Sequence, residues 1–438
     1  MTRTAGGAPA AGAAAGRPGR WGLPSIAGHG RLLAAAAADS TGNGLFLAFE
    51  VLYFLDRTGL PLGRVGLALT LTHVLALPVP ALVGTLVDTF DPRRVAVLGN
   101  CVSALGFAGC LAAHSFWQVV AAGLVVQTGI NTYWTCSGSL VALAAGPGER
   151  TRWFGLVRAL RNAGIGLGGA VSAFAVGLGG VGSVRWLVVA NIASFLASAA
   201  LIATWRPPRG ERPAEPVTDP VSEPVCEPAA TGGYLTVLRD GRFLRLVAVN
   251  LVFVLAALVL NVLLAVFLVE ALHQSAWTAG LLLTCNTVGI TVLQTAVTGW
   301  AERFARTRVI GCAALLYALA FGVCGALVAA PEGAVLPGLL LAVLVYTLAE
   351  MLQSPLMADA AVAVAPERLR GRYLALIQSS WSLGGATAPV LFSTLMARGP
   401  VWPWVCLVAL NLLVPAALIG LDPRVPPLPA RTPKEGRP

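Results

Sequence analysis

The chain has 438 residues, of which 56% are hydrophobic and only 11% are charged. Apolar content at that level, gathered into runs of membrane-spanning length, excludes a soluble domain and predicts an all-α membrane protein. The net charge of +10 calls for no nucleic-acid partner, because basic loops beside a bilayer meet anionic membrane lipid.

Residues 1–20 form an Ala/Gly tract with three arginines and without the compact apolar core of a secretory signal. Residues 1–30 are therefore expected to be a disordered cytoplasmic tail. Twelve apolar stretches follow, over 32–55, 63–87, 95–113, 117–143, 161–182, 186–205, 244–269, 276–300, 308–329, 335–361, 372–396 and 402–421. As helices they match a hydrocarbon core of about 30 Å, which needs about 20 residues. Residues 206–233 break the series. There Glu215-Pro216-Val217, Asp219-Pro220-Val221, Glu223-Pro224-Val225 and Glu227-Pro228 set a four-residue beat of proline. Proline at that density blocks helix and favours an extended linker. The expected domains are a six-helix bundle over 31–205, the linker, a second six-helix bundle over 234–422, and a cytoplasmic tail over 423–438.

Charge placement supports this division. With both termini in the cytoplasm, all but Arg57, Arg64, Arg185 and Arg398 of the 30 basic residues fall on cytoplasmic segments. That is the positive-inside pattern, and it points to a multi-pass protein of the plasma (inner) membrane. On this count no basic residue lies inside a span. The eight cysteines are scattered and show no metal-ligand spacing, so no metal or cofactor is expected. No phosphate-binding Gly-x-x-x-x-Gly-Lys-Ser/Thr loop is present, which argues against nucleotide-driven pumping. A polytopic enzyme acting on lipid is the alternative from another class. It would need paired Asp or His–Asp groups at one interface, and the sequence shows none. The protein is expected to be a monomer.

The halves resemble one another. Glu149-Arg150-Thr151-Arg152 leads into span 5 as Glu367-Arg368-Leu369-Arg370 leads into span 11, and the same shift carries Gly166 onto Gly384. The loop after span 2 runs from Gly84 through Asp88 to Arg93 and Arg94. The loop after span 8 runs from Thr298 through Glu302 to Arg306 and Arg308. Two six-span halves related by a parallel repeat are an architecture of secondary transporters, with the solute site between them near mid-membrane.

At these residues the chain resembles the major facilitator superfamily. That family's signature between spans 2 and 3, Gly-x-x-x-Asp-Arg/Lys-x-Gly-x-Arg/Lys-Arg/Lys, is matched at Gly84, Asp88, Arg93 and Arg94 and departed from at Thr89 and Asp91. The stretch from Glu350 through Pro355 to Arg368, Arg370, Gly371 and Tyr373 resembles spans 10 and 11 of bacterial drug-efflux members. The span-4 arginine usual in proton-coupled efflux members is absent from Gln127-Thr128-Gly129-Ile130-Asn131. The usual Gly-Pro element is absent from span 5, which has Gly164, Gly166, Gly168 and Gly169. The resemblance implies a conformational latch of Gly84, Asp88, Arg93 and Arg94, with Asp88 against the start of span 11.

Few acids fall within the spans: Asp39, Glu50, Glu350 and Asp359. A charge at the bilayer centre is costly, so each needs a reason. Glu350 lands near the middle of span 10. Without a cation to pair with, it is expected to take up and release protons, with Asp39 as a second proton-coupling group. Glu50 lies eleven residues beyond Asp39, on the same face of an unbroken helix. It joins Asn131, Tyr133, Trp134, Asn261, Asn286, Gln353, Gln378 and Trp381 as candidate solute-lining groups. A bundle without internal cations favours a neutral or cationic amphipathic small molecule. The expected function is proton-coupled efflux of such a solute by alternating access, multidrug resistance being one form of it. Uptake of a neutral metabolite is the alternative within the same fold.

Overall fold

The computed structural model describes residues 23–47, 49–146, 148–179, 181–207, 233–275 and 277–419. Most of the expected tail 1–30, almost all of the linker 206–233 and the tail 423–438 lie outside the described residues. The described chain is helical throughout, and each helix ends where its sequence stops supporting one.

The first span is a broken pair, α1 (Gly30–Leu47) and α2 (Glu50–Thr58), bent by 53°. Gly59 ends α2 in the left-handed region, at φ 64°. The break corrects the expectation that Asp39 and Glu50 share one helical face, because they stand on different helices. The second span combines α3 (Leu62–Leu75) and α4 (Val79–Thr89), interrupted around Pro78 and Pro80. Next come α5 (Pro92–Ala112), α6 (Phe116–Ala144), α7 (Arg150–Gly179) and α8 (Val184–Thr204). Asp91 starts α5 by accepting the backbone N–H of Arg93, with Pro92 at the first helical position.

After the linker, the short α9 (Tyr234–Arg239) turns into α10 (Gly241–Leu258), which Asp240 caps through the N–H groups of Arg242 and Phe243. The span continues through a π turn at Val259–Leu263, the α segment α11 (Leu264–Val266) and a second π turn at Phe267–Ala271. The second half is completed by α12 (Trp277–Ala301), α13 (Arg306–Ala326), α14 (Glu332–Val364), α15 (Arg370–Arg398) and α16 (Trp402–Leu418).

By length and apolar composition, 8 helices among the described residues can cross a membrane, or 9 with the bent pair. In α6 and α15 polar groups such as Gln127, Asn131, Gln378 and Ser380 dilute the apolar run, and α16 is short at 17 residues. Those helices complete twelve helical units in two six-helix halves. Large apolar side chains remain exposed around the bundle, including Leu82, Leu105, Phe174, Leu319 and Leu413, as a lipid-facing surface requires.

Each half has its own core. In the first, Phe46, Phe54, Phe107 and Phe195 fill one cluster and Tyr133, Trp153 and Trp205 another. In the second, Phe253, Phe267, Tyr317, Phe321 and Trp404 lie in a single cluster. A small fourth cluster spans the halves: Ala361 and Val362 of α14 and Leu374 of α15 pack with Ala142 of α6 and Phe154 of α7. Across the halves, α7 packs on α12 and α14, while α15 packs on α4 and α6.

The fifth span differs most from expectation. It was placed at 161–182, but α7 begins at Arg150. Its first three turns carry Arg150, Arg152 and Arg158 among Trp153, Phe154, Leu156 and Val157 and continue the helix into the bundle. Arg158 and Arg161 therefore stand about 12 and 16 Å inside the helix start at 1.5 Å per residue. The expectation that no span carries a basic residue is overturned.

Candidate functional site

The middle of the bundle holds a charged layer. Arg158 and Arg161, three residues apart on α7, project to one side of it. Arg158 Nη2 donates to Glu350 Oε1 of α14 in an ion pair between the halves, with side chains 15% and 8% exposed. Glu350 Oε2 accepts Asn286 Nδ2 of α12 at 3.0 Å, and the same amide reaches Thr347 Oγ1 at 3.1 Å. Glu350 is thus paired and hydrogen-bonded rather than cation-free, which corrects the sequence reading. Tyr317 of α13 and Tyr346 of α14 lie within Coulombic range of it.

Pro355 shapes this layer. It lacks an N–H and so leaves the carbonyl of Met351, four residues back, without its helical donor. Gln294 of α12, fully buried, supplies that donor from Nε2 at 2.9 Å. The proline and the glutamine together fix α12 on α14 beside Glu350. Gln294 escaped the sequence reading, although a proline inside an apolar span signals an open carbonyl.

Arg161 has different surroundings. Its guanidinium lies 3.8 Å from the ring centroid of Trp134, and the Tyr133 and Trp134 rings meet edge-on at 5.5 Å. Asp39 of α1 is 1% exposed; Asn43 Nδ2 donates to its backbone oxygen at 2.9 Å and to its carboxylate at 3.4 Å. Asp39, Arg158, Glu350 and Tyr133 are within Coulombic range of Arg161. Among the described residues no carboxylate lies within the 4.0 Å ion-pair distance of Arg161. Close packing of α1 on α7 makes this corner possible. A Cβ at Gly164 would come within 2.7 Å of Ser40 Cβ, and one at Gly168 within 2.7 Å of Leu45 N.

A second layer closes the basic end. Asp359 of α14, fully buried, lies 2.6 Å from Arg150 Nε of the first half and 2.7 Å from Arg306 Nη2 of the second. It also accepts Thr151 Oγ1 at 2.7 Å. Glu302 pairs with Arg152 at 2.6 Å. Beside Asp359, toward the end of α14, sits the apolar cluster of Ala361, Val362 and Leu374.

Asp88, at the end of α4, accepts the backbone N–H groups of Gly371 and Arg372, with Arg372 Nη1 at 3.6 Å. Gly371 and Arg372 occupy the second and third positions of α15, so Asp88 caps a helix of the other half. Gly84 makes room for the crossing: a Cβ there would lie 2.6 Å from Ala375 Cβ and 2.9 Å from Gly371 O. The repeat carries the same design. Glu302 follows α12 as Asp88 ends α4, and each acid reaches the first turn of the fifth helix of the opposite half. Tyr234 of α9 reinforces the crossing by donating to the carbonyl of Ala81. Burial pushes its hydroxyl up to about 12.

The other candidates are dispersed. Arg93 bonds Asp91 and the carbonyl of Trp205 at 3.2 Å, holding the Asp91 carboxyl below its ordinary value. Arg94 is exposed and makes no ion pair among the described residues, so the two arginines stand apart from the Asp88 contact. Asn131 and Gln353 are buried, and Gln378 and Trp381 are half-buried. Asn261 is exposed in the first π turn of its span, a distortion common where a helix carries function. Glu50 begins α2, away from the Arg158–Glu350 layer. Among the described residues no cluster of His, Cys, Asp and Glu could hold a metal.

Two helical halves meeting across buried charge define a polytopic membrane carrier. The Major Facilitator Superfamily model matches residues 32–275 and 246–438, and the chain belongs to that superfamily of secondary transporters, which are not enzymes. No curated protein matches by sequence. Among solved structures, the fold is similar to the human organic anion transporter MFSD10 (TETRAN), at 17% identity and TM-score 0.63, over 89% of this chain and 98% of that one. It is also similar to a bacterial homologue of the iron transporter ferroportin in an outward-facing state, at 15% identity and TM-score 0.72, over 90% and 99%. A third is the transporter FucP in an outward conformation, at 17% identity and TM-score 0.66, over 91% and 99%.

Proposed function

We propose that the protein is a proton-coupled carrier in which Glu350 is the coupling group and Arg158 its switch partner. The observation that carries this reading is the ion pair itself. It joins α7 of one half to α14 of the other, at a level of α14 nine residues before the Asp359 layer. While Glu350 is ionised, the pair holds the halves together toward the basic end. A proton on Glu350 removes the charge that Arg158 faces and weakens that tie, because a neutral carboxyl binds a cation far less strongly. The Asp359, Glu302 and Asp88 contacts then release together. This is alternating access with the basic end closed first; the positive-inside pattern places that end at the cytoplasm.

Asp88 remains the latch of this reading, through its cap on α15. Export of a neutral or cationic solute was expected because no span held a cation. Arg158 and Arg161 remove that reason, and the proposal rests on coupling alone.

The test uses purified protein in liposomes with an imposed pH gradient and an entrapped pH-sensitive dye. A panel of amphipathic acids, amides and amines is added, and solute-dependent proton flux is recorded. The wild type should move protons with a subset of the panel, and Glu350→Gln should move none. Solute-dependent proton flux in Glu350→Gln equal to wild type would refute the assignment.

A further inference from the structure

Arg161 is a charged group that the coupling scheme leaves unused. It lies eleven residues inside a membrane-spanning helix, where an arginine is expensive to keep charged. Structural arginines at such depth are paired, and Arg158, one turn away, is. Arg161 has instead an aromatic face and a carboxylate held back beyond ion-pair distance.

We infer that Arg161 is the recognition point for the carboxylate of an organic monoanion with an apolar body. The inference rests on reading the protein as a carrier with its solute between the halves. The guanidinium carbon sits over the Trp134 ring, 3.8 Å from its centroid, a contact that restrains the group from one side. Its N–H groups make no ion pair among the described residues, and a guanidinium fork can give a carboxylate two parallel bonds. Tyr133 and Trp134 offer aromatic surface for the rest of the molecule.

The charges facing Arg161 set the number the solute can carry. They are Asp39 of α1, Arg158 beside it on α7 and Glu350 of α14, with the neutral hydroxyl of Tyr133 of α6 nearby. Arg158 is already matched by Glu350. Arg161 and Asp39 offset each other in the same way, so a monoanion leaves the layer one positive charge short and a dianion two. A cationic solute would meet Arg161 itself. The same arithmetic sets the coupling sense. An anion arriving beside Asp39 and Glu350 leaves the layer short of positive charge, and a proton restores it. Anion and proton therefore load together, as in symport.

The experiment measures equilibrium binding to the full chain in detergent without any gradient, so that its result is independent of Glu350 as coupling group. The probes share one skeleton: 4-phenylbutyrate, its amide and 4-phenylbutylamine, each titrated calorimetrically and corrected against protein-free micelles. The acid should bind saturably and at least about tenfold tighter than either partner, as a charge-assisted contact requires. Arg161→Gln should weaken the acid roughly 30-fold and leave the amide unchanged. Should Arg161→Gln fail to fold, Arg161→Lys decides: it keeps the charge but loses the planar fork, and should weaken the acid about tenfold. No saturable binding of the acid, equal binding of the amine or amide, or an unchanged acid affinity in the Arg161 variants each overturns the inference. Arg161-dependent binding with intact coupling in Glu350→Gln would instead sink the proposed switch and leave this site standing.

Discussion

Arg158 on α7 and Glu350 on α14 meet side chain to side chain inside the bundle and, among the described residues, are the ion pair between its two halves that lies farthest along both helices from the basic end. Removing one partner strands a buried charge, whereas removing both does not. A fully buried pair would lose about 3–5 kcal/mol on single truncation, and partial exposure makes the loss here smaller. Arg158→Leu should lower the melting temperature in detergent, and Arg158→Leu with Glu350→Leu should recover most of it. A double variant less stable than both singles would mean that the pair is chiefly a structural rivet.

The cap that Asp88 places on α15 predicts a milder effect. Asp88→Asn keeps an acceptor but loses the interaction of a full charge with the positive helix end, worth about 1 kcal/mol in a partly buried setting. Folding should survive, and the closed basic end should be less populated. Gly84→Val should act more strongly, since a side chain there meets Ala375 and Gly371. The check is cross-linking of cysteines introduced across α4 and α15. Undiminished cross-linking in Gly84→Val would show that the crossing adapts without cost.

Asp359 gathers Arg150, Arg306 and Thr151 around one buried carboxylate. Asp359→Ala leaves two arginines facing each other and should destabilise more than Asp88→Asn, by about 3 kcal/mol. Asp359→Asn keeps the Thr151 contact and should fall between. Thermal unfolding of the purified variants checks the order Asp88→Asn, Asp359→Asn, Asp359→Ala.

Outside the spans, Asp91 predicts a pH dependence. Hydrogen bonds from Arg93 hold its carboxyl below the ordinary 3.8. A folded value lower than the unfolded one contributes stability that is complete above about pH 4 and is lost as pH falls through the folded value. Asp91→Asn retains the cap on α5 and should remove this component, flattening the acid side of a melting-temperature profile. A profile unchanged from wild type would deny Asp91 that role.

Hydropathy and arginine placement were enough to read the helices, the two halves and their repeat, because membrane insertion is decided by local composition. The pairing across the halves was less legible. A hydropathy window excludes residues 150–160, since three arginines there outweigh Trp153, Phe154, Leu156 and Val157. Yet those apolar residues lead up to Arg158, Ala159 and Leu160 follow it, and no proline ends the helix before Arg161. Reading α7 as starting at Arg150 would have put two cations beside Glu350. Asp88 was legible through the family signature. The Asp359 hub was not, because its partners come from residues 150, 151 and 306, which meet only in the folded bundle.

In this carrier, charge on Glu350 holds the halves together at the basic end. That hold is tested most directly by a distance that needs no solute. Phe90 and Phe304, both exposed, lie on the repeat-related loops after α4 and α12, one in each half. Spin labels at Phe90→Cys and Phe304→Cys, in a background freed of the native cysteines, report their separation by pulsed electron spin resonance in liposomes. The wild type should show a dominant short distance. Glu350→Gln, which copies the protonated side chain, should transfer much of the population to a longer one, as should Arg158→Gln. A distance distribution in Glu350→Gln that superimposes on wild type would contradict the account.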